Sequence, residues 1–408
     1  MRAVLGFLLL AGCAPVQMAA EAPRKHVSVG AAPVANLMDD CVADYRPGAD
    51  YFPHKARFED SAQLDVEYHG NWKRVTFTPA VDTREVLTFV LVQCGTPAPP
   101  TGPRDTVIEV PVRSFATANV SILGATALLG VDDRLRGVPT TNVTVPAIAR
   151  RIEAGETAPI YTAAHGNGEQ AAALGVDLIF TFYSAYPSAN MHPLLRRLGV
   201  KSAPQSDHTE LTPLGRAEWI KFLSLFFNRE ERANAIFADR KAQYDALAAL
   251  ARGVDKRPLV QAGYPASRDE WSQAGGHNQL YRLIEDTGGR HAWHDVESAG
   301  SLTYVPMEKL YARAADAEVW IGSFMPGAPD MESLRRDHPR LAWLKAVRKG
   351  QVWWFDAGKV GPFANSWSDQ GMTEPQAALA EMIAILHPDL LAPPSRPRFI
   401  RRIPGGPA

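Results

Sequence analysis

Residues 169–184 read EQAAALGVDLIFTFYS, and residues 308–323 read EKLYARAADAEVWIGS. Both segments contain the spacing Glu-x7-Asp-x6-Ser, first at Glu169, Asp177 and Ser184 and then at Glu308, Asp316 and Ser323. In each copy the pattern predicts a short helix that leads into an apolar strand and then into a polar loop. The repeat therefore predicts two similar α/β lobes whose strand-end loops face each other, and such loops bind ligands in open α/β sheets. Chance matching of common residues is the alternative.

The composition excludes several classes of function. The chain has 408 residues, a net charge of -1, 46 % hydrophobic residues and 21 % charged residues. These values indicate an ordinary globular protein with two or three domains. The near-neutral charge gives no support for nucleic-acid binding, which usually leaves a basic footprint. The signatures Gly-x-Ser-x-Gly, His-Glu-x-x-His and Gly-Lys-Ser/Thr are missing from the sequence, so its motifs predict no enzyme.

The first residues predict an export signal with a lipid anchor. A positive charge at Arg2 precedes a short apolar core, and Leu10-Ala11-Gly12-Cys13 matches a bacterial lipobox. We therefore predict that residues 1–13 are a lipoprotein signal and that Cys13 carries the lipid. Residues 14–35 are predicted to be a tether, with the body of the protein on the periplasmic or cell-surface side of a bacterial membrane.

The two remaining cysteines, Cys41 and Cys94, predict a disulfide bond. An even number of cysteines in an exported chain favours pairing, because the compartment is oxidising. Two buried free thiols are the alternative.

The patterns divide the rest of the chain into a β module, two lobes and a connecting helix. Residues 36–103 alternate polar and apolar side chains, which predicts a small antiparallel β module. The first α/β lobe spans residues 104–212 and begins with a strand at 107–112. A linker and spine helix span 213–253, with an uninterrupted helix from 229 to 251. The second α/β lobe spans 254–392, and residues 393–408 are predicted to be a loose tail.

Aromatic side chains concentrate on the loops that are predicted to lie between the lobes. Rings at such positions suit a cleft that binds a large, partly apolar ligand, although core packing is the alternative for each ring taken alone. The candidates are Phe115, Tyr183, Tyr186, Trp271, Tyr304, Phe324 and Trp367. Arg113 and Arg268 are the candidates for contact with an anionic ligand.

Four histidines lie near predicted loops, at His165, His277, His291 and His294. A metal site would need three or more convergent ligands, and no acidic residue has a suitable spacing. We therefore interpret these histidines as surface or packing residues and predict no metal site.

Three stretches resemble the iron-complex and vitamin B12 class of periplasmic substrate-binding proteins of ABC importers. They are residues 212–222, 278–289 and 369–390, and the likeness extends over about 107–390. The resemblance implies an α/β fold with two Rossmann-like lobes joined by one long helix, and a receptor without catalysis or cofactor. It implies a lipid-anchored monomer that binds a ferric siderophore between the lobes. Cobalamin or haem is the alternative ligand; a tethered sensor or adhesion protein, or an enzyme on the same frame, is an alternative function.

The resemblance also implies a partner. Members of this class carry an exposed glutamate on each lobe that pairs with arginines of the ABC permease, which works with its ATPase. Glu169 and Glu308 match those positions. Typical members lack a β module like that of residues 36–103, so its purpose is left open.

Overall fold

The structure of the protein is a computed structural model. It describes residues 25–28, 33–82, 84–160, 168–273, 278–296, 303–322, 330–361 and 364–405. Cys13 and Phe324 lie outside these residues, and so does the side chain of Glu169. Within the described ranges, no helix has both the length and the apolar character needed to cross a membrane.

The N-terminal part of the chain forms a two-stranded parallel sheet from its first two strands and a four-stranded mixed sheet from the next four. Its described strands are β1 (His26–Val27), β2 (Cys41–Val42), β3 (Leu64–Tyr68), β4 (Trp72–Phe77), β5 (Leu87–Gln93) and β6 (Asp105–Val110). Strands β3, β4 and β5 pair antiparallel, as predicted, and β6 is parallel to β5 at the edge. The assignment of the strand at 107–112 to the first lobe is therefore wrong, because its residues pair with the β module.

The predicted disulfide is confirmed. Cys41 and Cys94 are bonded, with their Cα atoms 4.9 Å apart. The Val42 amide also donates a hydrogen bond to the Cys94 carbonyl (3.0 Å), so β2 is fixed beside the end of β5. The crosslink spans 53 residues of sequence and restricts the unfolded chain accordingly.

The first lobe is a five-stranded parallel sheet with helices between its strands. The strands are β7 (Phe115–Thr117), β8 (Leu135–Val138), β9 (Ala158–Pro159), β10 (Leu178–Phe182) and β11 (Ser202–Gln205), in the order β11-β10-β7-β8-β9. The helices are α1 (Leu123–Leu129), α2 (Pro146–Glu153), α3 (Gly168–Ala173) and α4 (His192–Arg197). Crossovers of this kind are required between parallel strands.

Three consecutive helices lead from the first lobe to the second. They are α5 (Pro213–Ala217), α6 (Trp219–Phe227) and α7 (Glu230–Arg252). The Thr212 hydroxyl accepts a hydrogen bond from the Gly215 amide (2.9 Å) and caps α5. Asn228 ends α6 in a left-handed conformation with φ of 56°, which separates α6 from α7.

Helix α7 is the predicted spine helix, with 23 residues and a length of about 35 Å. Ala233 and Phe237, near its start, belong to the hydrophobic core of the first lobe. Tyr244, Ala248 and Ala251, near its end, belong to the core of the second lobe. The helix therefore connects two separate cores.

The second lobe contains a five-stranded sheet and a smaller antiparallel sheet. Its described strands are β12 (Leu259–Ala262), β13 (Tyr264–Pro265), β14 (Glu270–Gln273), β15 (Arg290–His291), β16 (Thr303–Pro306), β17 (Val319–Gly322), β18 (Val352–Trp354) and β19 (Arg401–Arg402). The larger sheet has the order β15-β12-β17-β18-β19, and the smaller has the order β13-β14-β16. The described helices are α8 (Gln279–Asp286), α9 (Met307–Ala314), α10 (Met331–Asp337), α11 (Lys345–Arg348), α12 (Ser366–Gln370) and α13 (Pro375–Leu386).

The prediction of a loose C-terminal tail is wrong for its described part. Strand β19 pairs antiparallel with β18. Phe399 and Ile400 are fully buried, and the buried carboxylate of Glu381 accepts hydrogen bonds from their amides (3.0 and 2.8 Å). The tail is therefore part of the second lobe.

The two halves of the sequence repeat occupy equivalent places in the two lobes. Helix α3 leads into β10, which pairs with β7, the first strand of its sheet along the chain. Helix α9 leads into β17, which pairs in the same parallel sense with β12, the first strand of the second sheet. The repeat thus corresponds to a duplicated helix–strand unit.

The β module and the first lobe share one hydrophobic core. All nine residues of α6 are buried, because the helix lies between the two sheets. On one side Phe222 packs against Phe89 of the module, with ring centroids 6.0 Å apart. On the other side Phe226 packs against Phe180 of β10, at 5.2 Å. The module is therefore continuous with the lobe.

A buried ion pair joins the module to the start of α7. The ammonium group of Lys73 contacts the Glu230 carboxylate at 2.6 Å, and both side chains are fully buried. Lys73 also donates to the Leu225 carbonyl (2.6 Å) and to the side-chain oxygen of Asn228 (2.9 Å). Asn36 donates to the second oxygen of Glu230 (2.9 Å). Burial lowers the pKa of Lys73, and the nearby Glu230 carboxylate opposes that shift.

We predict that Lys73→Met destabilises the protein by about 3–5 kcal/mol, because it leaves the buried Glu230 carboxylate without its partner. Urea unfolding followed by circular dichroism measures the change. The control is Lys256→Met, which breaks an exposed pair with Glu318 (2.7 Å) and should cost less than about 1 kcal/mol. Equal losses in the two variants would contradict the assigned role of Lys73.

Candidate ligand-binding cleft

The carboxyl ends of the parallel strands in the two lobes come together. In the first lobe, β8 is followed by a loop that contains Asn142, and in the second lobe Gly361 follows β18. A Cβ atom on Gly361 would lie 2.8 Å from the side chain of Asn142. Gly361 also has φ of +65°, so the close approach of the two loops requires glycine there.

Hydrogen bonds fix this contact between the lobes. The Thr144 amide and hydroxyl each donate to the carboxylate of Asp369, at 2.5 Å, and the Gln370 amide group donates to the Thr144 hydroxyl at 2.6 Å. A second contact joins Gln279 of α8 to the His208 carbonyl, at 3.2 Å. Residues that follow strand ends in one sheet thus contact residues that follow strand ends in the other.

A chain of polar and aromatic side chains crosses from one lobe to the other. We call Ser121, Asp207, Arg216 and Trp367 the floor network. The Ser121 hydroxyl donates to one oxygen of Asp207 (2.9 Å), and Arg216 donates to the other (3.0 Å). The guanidinium of Arg216 lies 5.1 Å from the ring centroid of Trp367, which is a cation–π distance. Asp207 is buried and paired, so its charge stabilises Arg216 beneath the Trp367 ring.

His208 lies beside the floor network. Its ring stacks on Phe182, the last residue of β10, with centroids 4.3 Å apart. Burial lowers the pKa of His208 to about 4, and the neighbouring Asp207 carboxylate only partly opposes the shift. The imidazole is therefore neutral at pH 7 and can donate or accept a hydrogen bond.

Of the floor network only Trp367 is among the residues that the sequence indicates, and Ser121, Asp207, Arg216 and His208 are not. Asp207 and His208 follow β11, whose sequence contains Pro204 and does not alternate. Arg216 lies in α5, within a stretch that the sequence assigns to the linker and spine helix and not to the ligand site. Their proximity depends on contacts between segments that are far apart in the chain.

Three of the predicted cleft aromatics have accessible or partly accessible rings. Tyr186 follows β10 and is 73 % exposed, and Tyr304 on β16 is 57 % exposed. Trp367 is half-buried and packs against Phe355 at 4.6 Å. These residues are available to a ligand, whereas Phe324 falls outside the described residues.

The other predicted aromatics are buried. Phe115 is the first residue of β7 and packs in the core against Phe227, at 5.1 Å, rather than on a loop. Trp271 is also fully buried, and its indole donates to the Ala262 carbonyl (3.2 Å). Tyr183 follows β10 but is only 2 % exposed. The interpretation of Phe115 and Trp271 as loop rings is therefore wrong, because both side chains point into the hydrophobic core.

The two arginine candidates lie away from the floor network. Arg113 precedes β7, so it lies at the amino end of the sheet, where its backbone amide donates to Asp177 (3.1 Å). Arg268 is exposed in the connection between β13 and β14. The described part of the structure thus gives Arg113 no place in the cleft.

The histidines form no cluster in the described residues. His291 is fully buried and lies against Tyr281, and burial lowers its pKa to about 3. His294 contacts the His291 carbonyl at 3.1 Å. His165 and His277 lie outside the described residues.

The two glutamates of the repeat occupy matching positions. Glu169 is the second residue of α3, and Glu308 is the second residue of α9. The Glu308 side chain is 74 % exposed and lies 3.7 Å from Arg340, which is also exposed. A carboxylate at a helix start is favoured by the helix dipole, so its position alone does not require a partner.

Two mainly parallel sheets, one connecting helix and facing strand ends define a two-lobe α/β binding-protein fold. Solved structures that share this fold include periplasmic binding proteins. The Helicobacter pylori protein CeuE, solved as a nickel–histidine complex, has a TM-score of 0.56 at 16 % identity and matches 78 % of this chain and 89 % of its own. A periplasmic haem-binding protein from Pseudomonas aeruginosa has a TM-score of 0.54 at 20 % identity, with 71 % and 97 % covered. An ABC transporter substrate-binding protein from Listeria monocytogenes has a TM-score of 0.51 at 18 % identity, with 68 % and 99 % covered.

Sequence comparison finds two relatives. Two uncharacterized lipoproteins from Methanocaldococcus jannaschii are 22 % identical over 247 residues and 24 % identical over 311 residues. The alignments cover 59 % and 74 % of this chain, and 55 % and 76 % of the relatives, so the chain spans about half the length of the first of them. No family model matches the sequence. The likeness to the solved structures shows that the chain has the fold of periplasmic binding proteins.

We predict that protonation of His208 contributes to acid destabilisation. Because the folded-state pKa is about 4 and the ordinary value is 6.5, the unfolded chain takes up this proton first as the pH falls. The stabilising effect of a neutral His208 is present above pH 6.5 and is lost towards pH 4. The free energy of unfolding should fall when the pH is lowered from 7 to 4.5. This fall should be smaller in His208→Gln than in the wild type, by about 2–3 kcal/mol.

Urea titrations at a series of pH values measure this difference. His69→Gln is the control, because His69 is exposed and stacks on Trp72 at the surface of the β module. Identical pH profiles for the wild type and His208→Gln would show that the neutral form of His208 is not favoured by folding.

Proposed function

We propose that the protein is a lipid-anchored solute receptor that binds an iron complex, a ferric siderophore, between its lobes and delivers it to an ABC permease. The observation that carries the proposal is the meeting of strand ends from both lobes around the floor network. Open α/β sheets bind ligands at that edge, and a cleft between lobes is a favoured place for a small-molecule site. Structural neighbours described as haem-binding or solved as a nickel–histidine complex support a metal complex as the ligand class.

The chemistry of the described cleft residues supports a bulky ligand with apolar surface. Tyr186, Tyr304 and Trp367 offer aromatic faces with polar edges. Arg216 is balanced by Asp207, so the network adds hydrogen-bonding groups without a large net charge. Cobalamin and haem are the alternatives within the same ligand class.

Anchoring and docking follow from other parts of the chain. The lipobox at Cys13 and the relatives named as lipoproteins support a lipid anchor. Glu169 and Glu308 stand at equivalent helix starts on the two lobes. Such a pair suits a permease of two similar subunits, because charge pairs fix register between partners more than they add affinity.

We predict that tryptophan fluorescence of the full chain in detergent is quenched saturably by one metal complex. The panel is ferrichrome, ferric enterobactin, cyanocobalamin and haemin, with correction for ligand absorbance. Trp367→Phe should lose a large part of the response, because this ring covers Arg216 in the cleft. Trp343→Phe is the control, since Trp343 is 60 % exposed and packs on Tyr311 away from the floor network.

The absence of a saturable response to every complex would count against the receptor proposal. It would favour the alternative of a tethered sensor, whose function should depend on the β module. A response that is equal in both tryptophan variants would place the ligand outside the cleft.

We predict that the double variant Glu169→Lys and Glu308→Lys lowers uptake at least about tenfold while the dissociation constant of the ligand is unchanged. Uptake of the radiolabelled complex by cells that carry the permease measures the effect. Glu332→Lys is the control, because Glu332 is an exposed acid in the first turn of α10. Equal uptake by the double variant and the control would remove the docking role.

A further inference from the structure

The β module contacts the carboxyl edge of the first lobe, where the cleft lies. Tyr183 directly follows β10, and its hydroxyl donates a hydrogen bond to Glu85 in the connection between β4 and β5. His192, at the start of α4, lies 3.7 Å from the other oxygen of Glu85, and its ring is stacked with that of Tyr183 at 5.6 Å. Glu85 is thus held by both ends of the β10–α4 connection.

A second set of contacts joins the module to the end of β11. Gln63 accepts a hydrogen bond from the Thr209 hydroxyl (3.1 Å) and lies 3.4 Å from the Ser206 carbonyl. Ser206 and Thr209 flank the turn that contains His208, and the His208 carbonyl accepts the hydrogen bond from Gln279 of the second lobe. The module and the second lobe therefore contact the same short turn.

The contacts of Glu85 leave its neighbours facing solvent. We call residues 84–86 the rim segment. Val86 is 50 % exposed, and Tyr186, three residues after Tyr183, is 73 % exposed. The Arg84 side chain is 90 % exposed, but Asp82 pairs with it at 3.0 Å. Asp82 matches the charge of Arg84, and the Glu85 carboxylate is engaged by the Tyr183 hydroxyl, so Val86 is the exposed apolar surface of this segment.

We propose that the rim segment is a wall of the ligand-binding cleft and that the β module thereby takes part in ligand selection. Glu85 is a positioning residue, because its contacts with Tyr183 and His192 fix the rim segment against the β10–α4 connection, which contains Tyr186. The wall favours complexes with an aryl or alkyl periphery over compact polar complexes, because Val86 and Tyr186 offer apolar area to the ligand. This inference rests on the proposed receptor function.

The test measures binding by the full chain in detergent, with the same four complexes as probes. Val86→Lys should raise the dissociation constant of the bound complex at least fivefold, with no change in the urea midpoint. The matched control is Leu250→Lys on α7, since Leu250 is 45 % exposed and lies far along the chain from the module. Hydrogen exchange should show slower exchange in the peptide 79–87 when the complex is bound.

A second pair of variants tests the role of Glu85. Glu85→Ala removes the acceptor of the Tyr183 hydroxyl, so it should speed exchange in the peptide 79–87 without ligand and weaken binding at least threefold. Glu85→Gln retains an acceptor and should restore the wild-type dissociation constant. A purely structural role would instead lower the urea midpoint and leave the affinity of the folded fraction unchanged.

The outcomes separate this inference from the receptor function. Wild-type binding with equal affinities for Val86→Lys and Leu250→Lys, and with no protection of residues 79–87, would overturn the role of the rim segment alone. Failure of the wild type to bind any of the four complexes would overturn both proposals. A weaker affinity in Val86→Lys, together with a wild-type dissociation constant in Glu85→Gln, would support the rim segment as a wall of the cleft.

Discussion

The architecture depends on one constraint, which is that α7 must bury its two ends in two different hydrophobic cores. Ala233 and Phe237 lie in the first core, and Tyr244 and Ala251 lie in the second. A helix is stiff over this length, so it sets the separation of the two sheets. The other contacts between the lobes, such as the hydrogen bond from Thr144 to Asp369, then form at a separation that the helix has fixed.

The β module belongs mechanically to the first lobe. Helix α6 is buried between the two sheets, and the Lys73–Glu230 pair ties the module to the beginning of α7. Replacing either partner alone leaves a charge without solvent or counter-ion, which is far more costly than the loss of an exposed pair. The module and the first lobe therefore form one rigid base, against which the second lobe is attached through α7 and the contacts at the cleft floor.

The proposed cleft combines aromatic faces with balanced charges. Asp207 compensates Arg216, and burial keeps His208 neutral, so the floor presents polar groups whose charges are already matched. Such a surface can hold a large ligand by area and by a few hydrogen bonds, and it does not select strongly for net charge. The rim segment would add apolar surface at the side of the cleft. The additional N-terminal sheet would then take part in ligand recognition.

Local patterns in the sequence were sufficient for the repeated helix–strand units, the spine helix, the antiparallel part of the β module and the Cys41–Cys94 bond. Periodicity, caps and cysteine parity act over short stretches, so they can be read without knowing the fold. Tertiary structure alone decided that β6 pairs with β5, that the C-terminal residues add β19 to β18, and that Phe115 and Trp271 point into the core. Strand partners and buried ion pairs such as Lys73–Glu230, 157 residues apart, depend on contacts between distant segments, and no local pattern encodes them.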